Sequence, residues 1–426
     1  MSSSPRSLDF EADSKRGVPR PTGANGRLHV PERWAARRVL AALGSPPLRF
    51  VLSNGESVTS GAAPPVATLR MNQPSVLLGL LVNPGLHFGE AYTDGRLEIE
   101  GDLRRVLDIL FHAPEGRPGL GADLARFRQG FARNSLRRAR HNIESHYDLG
   151  NDFYALWLDP ELVYTCAYFP TQDASLEAAQ LAKFEHVCRK LRLRRGERVV
   201  EAGCGWGSLA LHMARHHGVT VTAFNVSREQ IRWARERAHR EGLAGQVEFV
   251  ADDYRNIRGK YDAFVSVGML EHVGRAHYGA LGDVIDACLT STGRGLLHSI
   301  GRSRPRPMNA WIAKRIFPGA YIPSLREMLR VIEPWALCPL DVEDLRWHYV
   351  KTLGHWLERF EKHAELVAHR FDASFVRAWR LYLASSIAAF ECGSVQLFQL
   401  LFARPGFPGA WTRAEWYPPP ADAGRA

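Results

Sequence analysis

The sequence has few cysteines and lacks the long apolar runs of a membrane-spanning protein. Its six cysteines are scattered without a CxxC pair, so we predict neither a disulfide framework nor a metal site and expect a reducing cytoplasm. The best apolar run, 76–82, is interrupted by Gly79 and is much shorter than the ~18 residues of a spanning helix. The first residues place no apolar core behind their charges, so no secretory signal is expected.

The composition is that of a globular protein with an excess of basic charge. Of 426 residues, 45% are hydrophobic, which suffices for a sizeable core and excludes a wholly disordered or fibrous chain. The length is about two to three times that of a typical domain, so more than one domain is expected. The formal net charge of +10 favours a polyanionic partner, either nucleic acid or an anionic membrane surface.

Arginine is concentrated in one segment of the chain. Residues 123–141 contain six arginines and a single acid, interleaved with apolar residues that would form one stripe on a helix. A basic amphipathic helix suits a phospholipid surface, whereas a linker helix docked on its own protein is the alternative interpretation. Because nothing resembles a DNA-recognition helix or an aromatic RNA-binding platform, we predict no nucleic-acid partner.

Composition and periodicity divide the chain into five parts. We predict a disordered lead-in (1–27), a small N-terminal domain (28–118), a basic linker helix (119–145), a catalytic domain (146–410) and a tail (411–426). From residue 197 onward, apolar strands alternate with helices, which predicts βαβ units and a parallel sheet. The strands are predicted at 198–203, 219–226, 247–251, 261–267 and 295–300, with a closing strand at 395–402.

The sharpest local pattern is a glycine-rich turn at 199–207 (VVEAGCGWG), where an apolar strand ends in Glu201. Three alternating glycines follow: Gly203, Gly205 and Gly207. Glycine lets the backbone approach a ligand closely at the carboxyl edge of such a sheet. The spacing departs from the dinucleotide pattern GxGxxG, and the next strand ends in Asn225 rather than in the acid typical of NAD sites. A glycine turn alone is equally compatible with a structural role.

Together with NVSREQ at 225–230, the turn resembles the S-adenosylmethionine (SAM) fingerprint of class I methyltransferases. Five further stretches narrow the resemblance: SHYDLGNDFYALWLD at 145–159, VYTCAYF at 163–169, VSVGMLEHVG at 265–274, LHSIG at 297–301 and IFPGAYIPS at 316–324. They resemble the cyclopropane-fatty-acyl-phospholipid synthases and mycolic-acid cyclopropane synthases over about residues 76–403. The resemblance implies an α/β, Rossmann-like class I methyltransferase with a mostly parallel seven-stranded sheet, helical lid insertions and a small N-terminal α+β domain.

The resemblance also implies a chemistry and its residues. Methyl addition to an unactivated cis alkene creates a carbocation, and family members hold a bicarbonate ion as the base that removes a proton. Carried over by position, the bicarbonate ligands are Cys166, Glu271, His298, Ile300 and Tyr349. The implied SAM-binding residues are Tyr164, Thr165, Glu201, Gly203, Gly205, Gly207, Asn225, Gln230 and Asp253. Lid candidates are Trp311, Phe317 and Tyr321, for which core packing is an equal alternative.

Two positions depart from the pattern of the family, and one of them is Asn225, where threonine is more usual. Some members carry a cysteine in the helix that reads YLASSIAAF here, and the matching residue is Ser386. Structural alternatives exist for the site residues as well, since His298 could be a satisfied core histidine and Tyr349 lies on an apolar helical stripe. The change at Ser386 bears on the choice of product more than on the fold.

The sequence therefore predicts a cytoplasmic enzyme, peripherally bound to the inner face of the cell membrane. It is expected to transfer a methylene group from SAM to the cis double bond of unsaturated phospholipid acyl chains. The alternatives are a methyltransferase that gives methyl-branched or hydroxylated chains, a small-molecule methyltransferase and a non-catalytic lipid-binding protein. The assembly is left open, with a homodimer as one candidate.

Overall fold

The computed structural model describes residues 29–61, 63–113 and 149–417. The predicted lead-in (1–27) and basic linker helix (119–145) lie outside the described residues. The rest forms two compact units. The first combines the described residues up to 113 with 309–318 and 360–392, and the second combines 149–308, 319–359 and 393–417. The predicted catalytic stretch 146–410 is therefore interrupted twice by segments that belong to the first unit.

The first unit is built on a four-stranded sheet of order β2–β1–β3–β4. Its strands are β1 Leu48–Val51, β2 Ser57–Thr59, β3 Ala67–Met71 and β4 Leu97–Gly101. Strand β1 pairs antiparallel with β2 and parallel with β3, and β3 pairs antiparallel with β4. The helices of this unit include His29–Ala42, Ser75–Val82, Pro84–Thr93, Leu103–His112, Ala310–Arg315, Ala364–Arg370 and Ala373–Glu391. The small α+β domain is thus confirmed.

Specific contacts explain why the later segment 309–318 packs in the first unit. Gly89, in the middle of the helix Pro84–Thr93, lies against Trp311, whose side chain is buried. A Cβ atom at Gly89 would lie 2.3 Å from the indole ring, so only glycine allows this approach. One turn away, Arg315 donates two hydrogen bonds to the Glu90 carboxylate at 2.9 and 2.7 Å, and these bonds hold the pKa of Glu90 below its ordinary value.

The second unit contains a seven-stranded sheet of order β10–β11–β9–β8–β5–β6–β7. The strands are β5 Arg198–Ala202, β6 Thr220–Phe224, β7 Val247–Val250, β8 Tyr261–Val267, β9 Leu289–Gly301, β10 Cys338–Asp344 and β11 Gln396–Ala403. Strands β5 to β9 pair in parallel, whereas β11 is antiparallel to both β9 and β10. The mostly parallel seven-stranded sheet and its closing strand are confirmed.

Strand β9 begins at Leu289, six residues before the predicted start at 295. Most of the additional residues are polar, and the pairing with β8 shifts register among them: Leu289 pairs with Tyr261, and the next pair joins Arg294 to Ala263. The sheet is covered by apolar clusters that include alternate strand residues, with Val199 in one cluster and Val200 in the other.

The helices of the second unit include Asn151–Ala155, Leu176–Leu191, Ser208–His217, Arg228–Arg240, Leu270–Val273, Tyr278–Cys288 and Leu325–Leu329, together with most of Arg346–Lys362. Ser227 caps the helix Arg228–Arg240 as its sequence context predicts, accepting a hydrogen bond from the Gln230 N–H at 3.3 Å. Among the described residues, every helix falls short of the length and apolarity needed to cross a bilayer.

The contact between Gly89 and Trp311 gives a stability prediction. Gly89→Ala should destabilise the full-length protein by about 1–3 kcal/mol, because overpacking outweighs the ~1 kcal/mol that alanine gains in a helix. The matched control is Gly85→Ala in the same helix, where a Cβ atom would make only ordinary contacts, the nearest at 3.4 Å. Urea denaturation of both variants measures the difference, and equal midpoints would show that the indole moves aside without cost.

Candidate active site

Parallel pairing brings the predicted site segments to one edge of the sheet. Strand β5 ends at the glycine turn, β8 leads into the helix that contains Glu271, and the last residues of β9 include His298. In the register, Glu201 pairs with Val265, and Val267 pairs with His298. Since β5, β8 and β9 are parallel neighbours, their carboxyl ends meet at the same edge. The structure therefore gathers residues that are about a hundred positions apart in sequence.

The three glycines of the turn serve different purposes. All have positive φ values, of 85° at Gly203, 55° at Gly205 and 84° at Gly207. A Cβ atom at Gly203 would approach Met269 to 2.9 Å, and one at Gly207 would approach Phe249 to 2.5 Å. By contrast, the space beside Gly205 is open to 4 Å among the described atoms. Two glycines are thus required by packing, and Gly205 is the one that leaves room for a ligand.

Asn225, a predicted SAM-binding residue, is engaged within the protein. Its side-chain amide donates to the carbonyl of Gly205 at 3.2 Å and to Oε1 of Gln230 at 2.7 Å, while its Oδ1 accepts from the Ser227 N–H at 3.3 Å. The amide therefore ties the glycine turn to the following helix. Within the described chain, the Gln230 Nε2 is buried without a hydrogen-bond partner, so it is the donor that remains for a ligand.

Asp253, another predicted SAM-binding residue, is also paired. Its carboxylate receives hydrogen bonds from the Arg255 guanidinium at 2.8 and 3.0 Å and from the Arg255 backbone N–H at 3.0 Å. It thereby caps the short 3-10 helix Tyr254–Asn256. The pair fixes the loop after β7, so Asp253 contributes at least to the shape of this end of the sheet.

Glu201 lies in a buried environment together with Lys183, a residue that the sequence analysis does not single out. Burial raises the pKa of Glu201 to about 8, and the Lys183 charge acts in the opposite direction. Burial likewise lowers the pKa of Lys183 to about 8, against the attraction of Asp159. The Lys183 ammonium donates to the Thr165 hydroxyl at 3.0 Å. Lys183 therefore links two predicted SAM-binding residues.

The signal that could have identified Lys183 is its place on a buried helix face. In the helix Leu176–Leu191 it follows the buried Ala179 and Gln180 at helical spacing and precedes the buried Phe184. Lysine is rarely buried without a partner, so a lysine on such a face indicates a specific task. Gln180, on the same buried face, also binds Thr165, since its Nε2 donates to the Thr165 carbonyl at 3.0 Å.

Glu271 and His298, the predicted base-site pair, are buried and only partly satisfied. The Glu271 Oε1 accepts a hydrogen bond from the Ile300 N–H at 2.6 Å, and burial raises the pKa of this carboxyl to about 7. The Gln399 amide donates to Nδ1 of His298 at 3.1 Å, which leaves the proton of the neutral ring on Nε2. Burial lowers the pKa of His298 to about 3, so the ring is neutral. In the described structure, Glu271 Oε2 and His298 Nε2 are buried without hydrogen-bond partners.

Tyr349 lies in the helix Arg346–Lys362, and Cys166 contacts the same helix. Cys166 is fully buried, and the Thr352 hydroxyl lies 3.9 Å from its sulfur. Burial raises the pKa of the Cys166 thiol, which keeps it protonated. The Tyr349 ring packs edge-to-face on Trp356 with centroids 6.0 Å apart, and Tyr164 contacts the same indole at 5.3 Å. Residues predicted for bicarbonate and for SAM therefore share one aromatic neighbour.

The lid candidates do not gather in one unit. Trp311 is buried against Gly89 in the first unit, which agrees with core packing, the alternative to a lid. Phe317 also belongs to that unit, where it packs edge-to-face on Tyr382 at 5.5 Å. Tyr321 belongs to the second unit, and its hydroxyl donates to Glu327 at 2.9 Å. Ser386 donates to the Tyr382 carbonyl at 2.8 Å, a bond within its own helix.

Comparison of the chain with known proteins identifies its family. Residues 134–400 match the family described as mycolic acid cyclopropane synthetase, and residues 36–116 match a domain of unknown function (DUF7884). A probable fatty acid methyltransferase from Pseudomonas putida is 36% identical over 87% of this chain and 96% of its own. The cyclopropane-fatty-acyl-phospholipid synthase of Escherichia coli K12 is 36% identical over 83% of this chain and 92% of its own. The tuberculostearic acid methyltransferase UfaA1 of Mycobacterium tuberculosis is 34% identical over 85% of this chain and 89% of its own.

Solved structures agree with this assignment. The cyclopropane synthase MmaA2 from Mycobacterium tuberculosis superposes with a TM-score of 0.59 at 25% identity, covering 62% of this chain and 98% of that one. The mycolic acid cyclopropane synthase CmaA1, solved with SAH and CTAB, gives the same TM-score and coverage at 26% identity. The chain therefore belongs to the mycolic acid cyclopropane synthetase family, and it is a SAM-dependent methyltransferase.

Proposed function

We propose that the protein converts the cis double bond of an unsaturated phospholipid acyl chain into a cyclopropane ring. The observation that carries the proposal is the buried pair of Glu271 and His298, each with a polar atom left unbonded within the described chain, at the same sheet edge as the glycine turn. The family supports the same reaction, because relatives aligned over more than nine-tenths of their own length include a cyclopropane-fatty-acyl-phospholipid synthase.

The reaction explains why this site is both buried and aromatic. SAM supplies an electrophilic methyl group, and an isolated alkene that accepts it becomes a carbocation on the acyl chain. Ring closure then requires that the added methyl lose a proton, whose C–H electrons form the second bond of the ring. Aromatic faces such as those of Tyr164, Trp356 and Tyr349 stabilise a nearby cation by about 0.5–2 kcal/mol each. Water must be excluded because it would trap the cation as an alcohol.

Bicarbonate fits the polar atoms that this site leaves without partners. Its hydroxyl can donate to the Glu271 carboxylate, and one of its oxygens can accept from His298 Nε2–H. Tyr349 stays a ligand that only the family resemblance implies. When bound, bicarbonate supplies the acceptor for the proton that leaves the methyl group. Glu271 is then needed in its ionised form, which its pKa near 7 makes available at neutral pH. Cys166 is a neutral thiol that lines the site, and the Ile300 N–H orients Glu271.

A methyl-branched product is the second candidate, because two of the similar relatives are named a probable fatty acid methyltransferase and a tuberculostearic acid methyltransferase. Both outcomes use SAM and the same cation, and they differ in how that cation is quenched. We further propose that acyl chains are reached at the inner face of the cell membrane. This association rests on the net charge of +10 and on the arginine-rich segment 123–141.

Mass spectrometry of lipids from cells that express the full chain tests the reaction. We expect phospholipids to gain one CH2 group and to lose the alkene signal, and a gain of CH4 would instead assign the saturated methyl branch. Glu271→Gln should lower product formation at least ~100-fold, the lower range for loss of an acid–base group, while SAM affinity measured by calorimetry stays within a few-fold.

The matched control is Glu248→Gln, because the Glu248 side chain is exposed near the start of β7. That variant should retain its turnover. Product formation by Glu271→Gln at the wild-type rate would reject the role of Glu271. Absence of any lipid product from the wild-type protein, despite SAM binding, would instead reject the lipid substrate.

The raised pKa of Glu271 gives a second prediction, on stability. Its folded-state pKa of about 7 exceeds the ordinary value of ~4.3, so between these pH values the unfolded chain releases a proton that the folded chain retains. The contribution of Glu271 to the free energy of unfolding is therefore fully present below pH ~4. It falls by about 3 kcal/mol as the pH rises to 7. Glu271→Gln should therefore gain stability relative to wild type over this range in urea denaturation.

Glu343 provides a control of opposite sign. Burial by itself would raise the pKa of Glu343. The hydrogen bond from His186 and the charge of Lys190 outweigh this effect and lower the pKa of Glu343 to about 2. Glu343→Gln should therefore be less stable than wild type by a nearly constant amount from pH 4.5 to 7.5. Parallel profiles for wild type and Glu271→Gln would contradict the assignment of a raised pKa to Glu271.

Lys183 should act as a positioning residue for SAM. Lys183→Met removes the donor to the Thr165 hydroxyl and the positive charge that lowers the pKa of Glu201. We therefore expect the dissociation constant of SAM to rise at least ~10-fold, which is the loss typical of a charged hydrogen bond. Calorimetry of Lys183→Met, Thr165→Val and the double variant measures the coupling. Fully additive losses would mean that the bond between the two side chains does not contribute.

A further inference from the structure

Outside the candidate active site, side chains suited to a metal ion meet between two helices of the second unit. The helix Leu176–Leu191 contributes Cys188, and the helix Ser208–His217 contributes His212 and His217. The Cys188 sulfur and one ring nitrogen of each histidine all lie within 4.8 Å of one another. Thiolate sulfur and imidazole nitrogen are the ligands that Zn²⁺ prefers in proteins.

A carboxylate lies beside the two imidazoles. The Glu185 Oε2 is 3.1 Å from Nε2 of His217 and 3.6 Å from Nε2 of His212. Around a tetrahedral ion with bonds of ~2.0–2.1 Å, neighbouring nitrogen and oxygen ligands stand ~3.3 Å apart. The carboxylate oxygen therefore lies close to this spacing from each of the two imidazole nitrogens.

Two of the proposed ligand atoms are buried. The His212 Nε2 is buried and, within the described chain, makes no hydrogen bond. Cys188 is fully buried, and its thiol would release its proton to solvent when it coordinates a cation.

We propose that Cys188, His212 and His217 bind one Zn²⁺ ion, with Glu185 or a water molecule as the fourth ligand. The donor set of sulfur and nitrogen favours Zn²⁺ over Mg²⁺ or Ca²⁺, which take oxygen ligands. The ion would join the helix that starts at the glycine turn to the helix that carries Lys183. This site is structural, and its existence does not depend on the proposed lipid substrate.

Titration of tag-free, chelator-treated full-length protein with Co²⁺ tests the site. One equivalent should produce a thiolate-to-cobalt charge-transfer band and the intense d–d bands of tetrahedral coordination, and Zn²⁺ should displace both. The charge-transfer band should disappear in Cys188→Ser and persist in Cys338→Ser, which changes an exposed cysteine. Absence of the band in the wild-type protein, or its persistence in Cys188→Ser, overturns the proposal.

A histidine pair keeps the test decisive if Cys188→Ser fails to fold. His217→Gln, at a ligand whose side chain is only partly exposed, should weaken Zn²⁺ binding by more than the ~10-fold typical of outer-shell changes, whereas His216→Gln should leave the affinity unchanged. Zn²⁺ should also raise the thermal midpoint of the wild type and of His216→Gln but not that of His217→Gln. Equal affinities in the two histidine variants would assign the cluster to ordinary hydrogen bonding between Glu185 and His217.

Discussion

The parallel pairing of β5, β8 and β9 is the constraint on which the candidate active site depends. It carries the end of each strand to one edge, so that the glycine turn, Glu271 and His298 converge although they are distant in sequence. Turns at that edge then adopt left-handed backbone, as at Gly203 and Gly207, where packing leaves no room for a side chain. A change in strand order would separate these groups, whatever their individual chemistry.

Burial is the second common factor, and it shifts the pKa values of four titratable groups of the site so that their neutral forms are favoured. It raises the pKa values of Glu201 and Glu271 and lowers those of Lys183 and His298. A dry site suits a reaction that passes through a carbocation, because water would capture the cation. The same dryness makes each unbonded polar atom costly, by about 1–3 kcal/mol, so such atoms are expected to find partners when ligands bind.

The division into two compact units does not follow the order of the chain. The family match over 134–400 includes 309–318 and 360–392, yet these segments pack with the N-terminal sheet unit. The reason lies in single contacts, such as the indole of Trp311 on Gly89 and the guanidinium of Arg315 on Glu90. Composition and turn residues mark where a chain bends, but they do not show to which core a later helix returns.

The sequence by itself determined the alternation of strands and helices, the glycine turn, the cap at Ser227 and the family, because these depend on local backbone preferences and on residues close together in the chain. Tertiary structure alone decided that the Asn225 amide is consumed by Gly205 and Gln230, and that Lys183 reaches Thr165. It also brought Cys188 beside His212 and His217, which no spacing along the chain indicated. Periodicity records which face of an element is buried, whereas the partner met on that face is set by how the elements pack.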